Sequence, residues 1–263
     1  MKLQNNIVYE NNGITVINDD TLQVNIPENS VDLIVTSPPY NLDIKYVTYS
    51  DNLTYENYLE FTKKWLAKVL LFAKTDGRMR LNIPLDVSKP SKQSIYSDLL
   101  QIAKQVGWQY HGTITWLKQN VPKRSAWGSF QSASSPFTMA PTEMIGTFYK
   151  ETWAKQRKGT SSITKKEFTD YVIGLWDFKP ETIIDHVAPF PEELPNRCIK
   201  LFSYVDDVIL DPFMGSGTTM VSAFKNKRNA IGVDISKVYC DQTIKRLKMS
   251  GINGKANFER YFK

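Results

Sequence analysis

Two cysteines, two histidines and no long apolar run occur among the 263 residues of this sequence, and each scarcity removes a class of protein. Cys198 and Cys240 lie far apart, with neither CxxC spacing nor a neighbouring histidine, so neither a disulfide framework nor a zinc site is expected. His111 and His186 are too few and too isolated for metal chemistry and are read as structural or surface residues. No stretch approaches the roughly 18 apolar residues of a membrane span. The N-terminal Met1-Lys-Leu-Gln-Asn-Asn leads into polar residues rather than an apolar leader, so a soluble, cytoplasmic protein is expected. Internal repeats and low-complexity tracts are also missing.

What is present suits one enzyme-sized unit. Apolar residues make up 41% of the chain, enough to bury a sizeable core in a single domain spanning 1–263. The formal net charge is +6, which favours a polyanionic partner without specifying one.

Hydrophobic patterning then divides the chain. Val31-Asp-Leu-Ile-Val35 is short, apolar and β-branched, and reads as a buried strand that Pro38 and Pro39 terminate in a rigid loop. Tyr58, Phe61, Trp65, Val69 and Phe72 recur at helical spacing, predicting a helix over 55–74 with a stop at Asp76-Gly77 before a strand at 78–83. A second helix is expected over 93–106, strands over 108–117 and 143–149, and a strand at 208–210. A helix to about 227, a strand at 230–233 and a final helix over 236–249 complete the pattern. Alternating elements of these lengths imply an α/β protein with a largely parallel sheet. Between 118 and 180 the pattern degrades, and ten Lys/Arg face five Asp/Glu. That segment is either a solvated insert or a nucleic-acid face.

The string Asp211-Pro-Phe-Met-Gly-Ser-Gly-Thr-Thr219 sits between strand and helix, and the next strand ends in Asp234. Together they form a nucleotide-binding half-unit in which Gly215 and Gly217 admit the ligand to the backbone and Asp234 can accept both ribose hydroxyls. No Gly-Lys-Ser/Thr follows, and Met220 replaces the third glycine of a dinucleotide site, so a nucleoside without pyrophosphate fits better. A carboxylate at Asp211 also suits a cationic ligand better than phosphates.

Thr36-Ser37-Pro38-Pro39-Tyr40-Asn41 followed by the Asp211–Thr219 string resembles the β-type amino-methyltransferases of DNA. The first string matches their catalytic motif and the second their motif for S-adenosyl-L-methionine, which implies cofactor roles for Asp211, Pro212, Phe213, Gly215, Ser216, Gly217, Thr218, Thr219 and Asp234. Ala188-Pro-Phe-Pro-Glu-Glu-Leu-Pro-Asn-Arg197 is similar to the segment that packs on the methionine moiety, which implicates Phe190 and Pro191. Asn18-Asp-Asp-Thr-Leu22 resembles the acidic turn near the adenine, which implicates Asp20, although the glycine common there is missing. Methyltransferases of protein glutamine and RNA guanine also carry a Pro-Pro-Tyr loop, but there it typically follows the cofactor loop. Here it comes first.

The resemblance implies a circularly permuted Rossmann-like methyltransferase sheet with helices on both faces and a target-recognition insert at about 118–180. It implies double-stranded DNA as substrate and a cognate restriction endonuclease as a candidate companion; monomer or homodimer stays open. A flipped base would lie against Tyr40, with the Ser37 side chain and the Pro38 carbonyl accepting from its amino group. Serine at the head of the motif favours cytosine N4. Adenine N6 is the alternative, and a non-catalytic DNA-binding relative the more distant one. Lys123, Arg124, Lys155, Arg157 and Lys158 are the expected phosphate contacts of the insert.

Overall fold

The computed structural model describes residues 6–41, 53–87, 93–118, 128–136, 140–180 and 191–252. Its elements in chain order begin with β1 (Ile7–Asn11), β2 (Ile14–Asn18), β3 (Val31–Thr36), α1 (Tyr55–Phe72), β4 (Ala73–Pro84), α2 (Ile95–Gln105) and β5 (Gln109–Leu117). They continue with β6 (Thr142–Tyr149), α3 (Lys165–Tyr171), β7 (Leu175–Asp177), α4 (Glu193–Phe202), β8 (Val208–Asp211), α5 (Thr218–Lys225), β9 (Asn229–Asp234) and α6 (Lys237–Met249). The nine strands form one sheet in the order β1-β2-β9-β8-β3-β4-β6-β5-β7.

Strand direction decides where a ligand can bind. The pairs β2–β9, β9–β8, β8–β3, β3–β4 and β5–β7 are parallel, while β6 runs antiparallel between β4 and β5 and β1 runs antiparallel at one border. The C-terminal ends of the parallel strands therefore share one rim of the sheet. The loops after β3, β5, β7, β8 and β9 all leave from that rim.

Burial explains the sequence of the central strand. Every residue of β3 is buried, because helices cover both faces: Ile34 packs with α1 and α2 residues such as Trp65, Leu66 and Leu99. Leu33 and Val35 pack on the other face with Cys198 and Ile199 of α4, Val221 of α5 and Leu247 of α6. This is the two-residue alternation of a strand inside a three-layer sandwich. Both cysteines are buried free thiols. No helix among the described residues is long and apolar enough to cross a membrane.

One sequence expectation changes. Asp76-Gly77 does not precede β4 but lies inside it, since the strand starts at Ala73 directly after α1. The segment expected as an insert also builds part of the sheet: β6, the strand expected at 143–149, lies between β4 and β5, and β7 pairs with β5 at its border. The segment after β6 folds beneath the opposite, N-terminal rim. There Lys150 and Glu151 amides bond to the Gly77 and Thr75 carbonyls, and Trp153 stacks on His111 with ring centroids 3.6 Å apart.

Candidate active site

The chain after β8 turns to one face of the sheet, into α5, and the chain after β3 returns to the other, through α1. The two loops diverge over the β8–β3 boundary at the carboxyl rim, the topological switch point at which open α/β sheets form the crevice that binds ligands. Asp211, the last residue of β8, ties the loops together. Its Oδ1 accepts from the Thr36 hydroxyl at 2.9 Å and the Phe213 amide at 3.1 Å, and its Oδ2 accepts from the Thr219 hydroxyl at 2.6 Å. The carboxylate is fully buried. Burial pushes its pKa up to about 6 against the lowering effect of the three donors.

Asp211, expected beside a cationic ligand, lies buried behind the two loops with both oxygens engaged by Thr36, Phe213 and Thr219. Other side chains of the loop are also committed. Arg246 of α6 donates to the Ser216 carbonyl, the Ser216 hydroxyl and the Thr218 hydroxyl, each at 3.0 Å. The Ser216 and Thr218 hydroxyls accept from Arg246 and keep their own protons to donate. Phe213 packs edge-on against Trp65 and Phe61 of α1, at centroid distances of 5.3 and 6.1 Å, and the Pro212 carbonyl accepts from the Thr21 hydroxyl.

Gly215 and Gly217 both have positive φ, 51° and 78°. At Gly217 a Cβ would collide with the Thr243 side chain of α6. The glycine is thus needed for the close approach of α5 to α6 and not only for a ligand's approach to the backbone.

An acidic wall completes this half. Asp234 ends β9 and accepts one backbone amide on each oxygen, Gly215 at 2.9 Å and Ser236 at 2.8 Å. Burial raises its pKa. Each oxygen retains acceptor capacity for a hydroxyl. Asn18 pairs with Asp234 across β2–β9, so the turn that follows, where Asp20 Oδ1 accepts the Leu22 amide at 2.9 Å, emerges beside it. Positive-φ glycines, an acceptor carboxylate and a second acid at the rim fit a cationic nucleoside better than a phosphate ester. Pro191 is buried at the start of α4, its carbonyl accepting the Leu194 amide at 3.0 Å. Phe190 lies outside the described residues.

The other half is a polar cluster around Ser37, Pro38, Pro39 and Tyr40. Ser37 and Tyr40 are half-buried and their hydroxyls bond to each other, while Pro38 is buried. Asn41 has φ 56° and clasps Leu53 with its side chain, donating to the carbonyl at 2.8 Å and accepting the amide at 2.9 Å. Three residues not foreseen from the sequence join the cluster: Asn82 of β4, Glu143 of β6 and Lys118 just past β5. Asn82 Nδ2 lies 3.1 Å from the Tyr40 hydroxyl and 2.5 Å from Glu143 Oε2. Lys118 forms an ion pair with Glu143. For Asn82 the available signal was a polar residue between two apolar ones at the end of a strand, as in Leu81-Asn82-Ile83.

The expected phosphate contacts separate. Lys123 and Arg124 lie outside the described residues. Lys155 is a correction: its side chain is only 8% exposed, and its ammonium lies 3.0 Å from Asp32, 3.4 Å from Asp207 and 3.9 Å from Asp76. Arg157 pairs with Asp207 at 3.3 Å, and Lys158 follows on the same segment. Asp32 is the second residue of β3 and Ser37 directly follows its last, so this cluster lies about 17 Å from the catalytic loop at ~3.3 Å per residue. Burial alone would push Asp32 up, but Lys155 and Lys74 hold it below the usual carboxylate range. Lys155 and Arg157 fasten the segment after β6 to the far rim.

Lys155→Ala should therefore lower stability by about 3 kcal/mol, as when one partner of a buried ion cluster is removed. The slope of log DNA affinity against log salt should not change. Thermal melts and salt titrations check both; a flatter slope at parental stability would return Lys155 to the DNA face.

Known proteins share this arrangement. The family model described as DNA methylase, covering the N6 and N4 enzymes, matches residues 31–245. Type II methyltransferase M.MjaVI of Methanocaldococcus jannaschii is 53% identical over 171 residues, 65% of this chain and 88% of that protein. Type II methyltransferase M.HpaI of Haemophilus parainfluenzae is 30% identical over 88% of this chain and 72% of its own length. Among solved structures, TTHA0409 of Thermus thermophilus complexed with S-adenosyl-L-methionine superposes with a TM-score of 0.71 at 27% identity, over 90% of this chain and 93% of that one. The PvuII DNA methyltransferase, described as cytosine-N4-specific, superposes with a TM-score of 0.73 over 97% of this chain and 92% of its own; at 19% identity it speaks for the fold alone. With both loops and the strands that carry them inside the matched region, the chain belongs to the N6/N4 DNA methylase family.

Proposed function

We propose that this chain transfers a methyl group from S-adenosyl-L-methionine to cytosine N4 in double-stranded DNA, within a restriction-modification system. The sheet is read as circularly permuted, because the nucleotide-binding half-unit β8-α5-β9 follows the half that carries Ser37–Tyr40. The observation that carries the reading is Asp211: one buried carboxylate bonds Thr36, the residue before the catalytic loop, and Thr219, the residue behind the cofactor loop.

When bound, the cofactor supplies a methyl group on a positively charged sulfur. Asp234 and Asp20 are placed to accept from its nucleoside, and Asp211 supplies negative charge beneath it. An exocyclic amine is a poor nucleophile because its lone pair is delocalised into the ring. Ser37 Oγ and the Pro38 carbonyl, accepting from its two hydrogens, draw that pair towards nitrogen, and the prolines hold the acceptors in place. The base reaches them only out of the duplex, with Tyr40 as its stacking partner. DNA would approach over the carboxyl rim, at which β3, β5 and β7 end.

Asp234→Asn keeps one acceptor but removes the charge. Calorimetric titration should give S-adenosyl-L-methionine roughly 10-fold weaker binding to the folded variant, the loss expected for hydrogen bonds to a charged group. Transfer of labelled methyl from the cofactor to duplex DNA should fall with it at sub-saturating cofactor. Parental affinity would overturn this cofactor site, and no transfer by the parent protein would overturn the function.

A further inference from the structure

The cluster behind the catalytic loop has a definite hydrogen-bond polarity. Asn82 is 1% exposed and Glu143 6% exposed. Glu143 Oε2 lies 2.5 Å from Asn82 Nδ2 and 3.4 Å from the Tyr40 hydroxyl. A carboxylate only accepts, so it fixes the Asn82 amide with its NH2 inward; the flipped amide would set oxygen against oxygen. The same NH2 reaches the Tyr40 hydroxyl at 3.1 Å and Ser37 Oγ at 3.4 Å. On that side both hydroxyl oxygens are acceptors.

Tyr40 has one proton to place. Its inward acceptors are the Glu143 carboxylate, at 3.4 Å, and the Asn82 carbonyl, at 3.3 Å. The Ser37–Tyr40 hydrogen bond admits either donor by geometry alone; when the phenol proton is directed inward, Ser37 donates and Tyr40 accepts. The Ser37 proton is then turned away from the crevice and its lone pairs face it. Lys118 offsets the burial of the Glu143 charge.

We propose that Glu143, acting through Asn82 and Tyr40, is a positioning residue that keeps Ser37 an obligate hydrogen-bond acceptor toward the target amine. Without it the phenol proton keeps only the Asn82 backbone carbonyl as an inward acceptor, so donation to Ser37 competes, and the serine proton then swings outward to confront the amine's own hydrogens. This inference rests on the proposed amino-methylating function and adds the residues that set its acceptor.

Glu143→Gln retains shape, but its oxygen can face Asn82 only by setting its NH2 against the Lys118 ammonium, so the ion pair that anchors the inward polarity is lost. In single-turnover methylation with saturating S-adenosyl-L-methionine and duplex DNA, its rate should fall roughly 10–100-fold, the range for partners that orient a reacting group. Cofactor and DNA affinities should stay within about 2-fold of the parent, a split that structural damage would not give. In a Ser37→Ala background the same substitution should cost less than about 3-fold, since no serine proton remains to be misdirected. Tyr40→Phe, which keeps the ring but removes the phenol proton and acceptor, should lose rate similarly and keeps the test open if Glu143→Gln does not fold. A parental rate in folded Glu143→Gln or in Tyr40→Phe, or an undiminished Glu143→Gln loss in the Ser37→Ala background, would overturn the proposal. Failure of the parent protein to methylate any amine would instead overturn the function on which it rests.

Discussion

Ser37→Ala should lower the methyl-transfer step about 100–1000-fold while DNA and cofactor affinities stay near parental values, because an acceptor aimed at a reacting group matters most as charge develops there. The Pro38 carbonyl survives the substitution, so residual activity is expected. Tyr40→Ala should behave differently. It removes the ring proposed to stack on the extruded base, a contact worth about 1–3 kcal/mol by analogy with single-strand stacking, and it also removes the inward anchor of Ser37. Both rate and DNA affinity should therefore fall in Tyr40→Ala. Single-turnover kinetics with separately measured dissociation constants distinguish the two patterns. A Ser37→Ala enzyme at parental rate, or a Tyr40→Ala enzyme at parental rate and affinity, would remove this loop from the chemistry.

The second large effect concerns Asp211. Its folded pKa of about 6 lies above the ordinary value of 3.8 because burial disfavours the ionised form. A raised carboxylate pKa means that the folded state holds a proton which the unfolded state releases first. The associated stability is present in full below pH 3.8 and is lost as pH rises through about 6, by about 3 kcal/mol at 1.36 kcal/mol per pKa unit. Asp211→Asn has no such proton. Relative to the parent, its melting temperature should rise across pH 4–6 and level off above. Its affinity for the cationic cofactor should fall, since the buried charge beneath the crevice is gone. Melting curves that run parallel from pH 4 to 7, combined with unchanged cofactor affinity, would contradict the role given to this carboxylate.

Much of this arrangement was legible because it rests on local patterns. β3 is a run of β-branched and apolar residues cut short by two prolines, and α1 shows its buried stripe at helical spacing. β8, α5 and β9 surround a glycine loop whose spacing is itself the signal. What escaped had weaker local marks. β1 and β2 form a hairpin around Asn12-Gly13, both at positive φ, and that Asn-Gly pair is a hairpin signal in its own right. In α4, Pro195 looks like a breaker but occupies the first turn, where its missing N–H costs nothing.

The site divided in the same way. Contiguous strings identified both loops, yet Asn82, Glu143 and Lys118 are single polar residues on separate strands that only the sheet order brings together. Charge counting over 118–180 could not show which rim a lysine occupies. Lys155 is held by aspartates that precede it by about 80 and 120 residues and follow it by about 50, and no local composition records that pairing.

The central claim is that the loop Ser37–Tyr40 methylates an exocyclic amine, and nucleoside analysis tests it most directly. Duplex DNA of mixed sequence, incubated with the parent protein and labelled S-adenosyl-L-methionine, is digested to nucleosides and resolved by mass spectrometry. The account predicts label in N4-methylcytosine, with little from Ser37→Ala or Tyr40→Ala. Label in N6-methyladenine would correct the base while keeping the mechanism; label in 5-methylcytosine, or in no nucleoside under saturating conditions, would contradict the account.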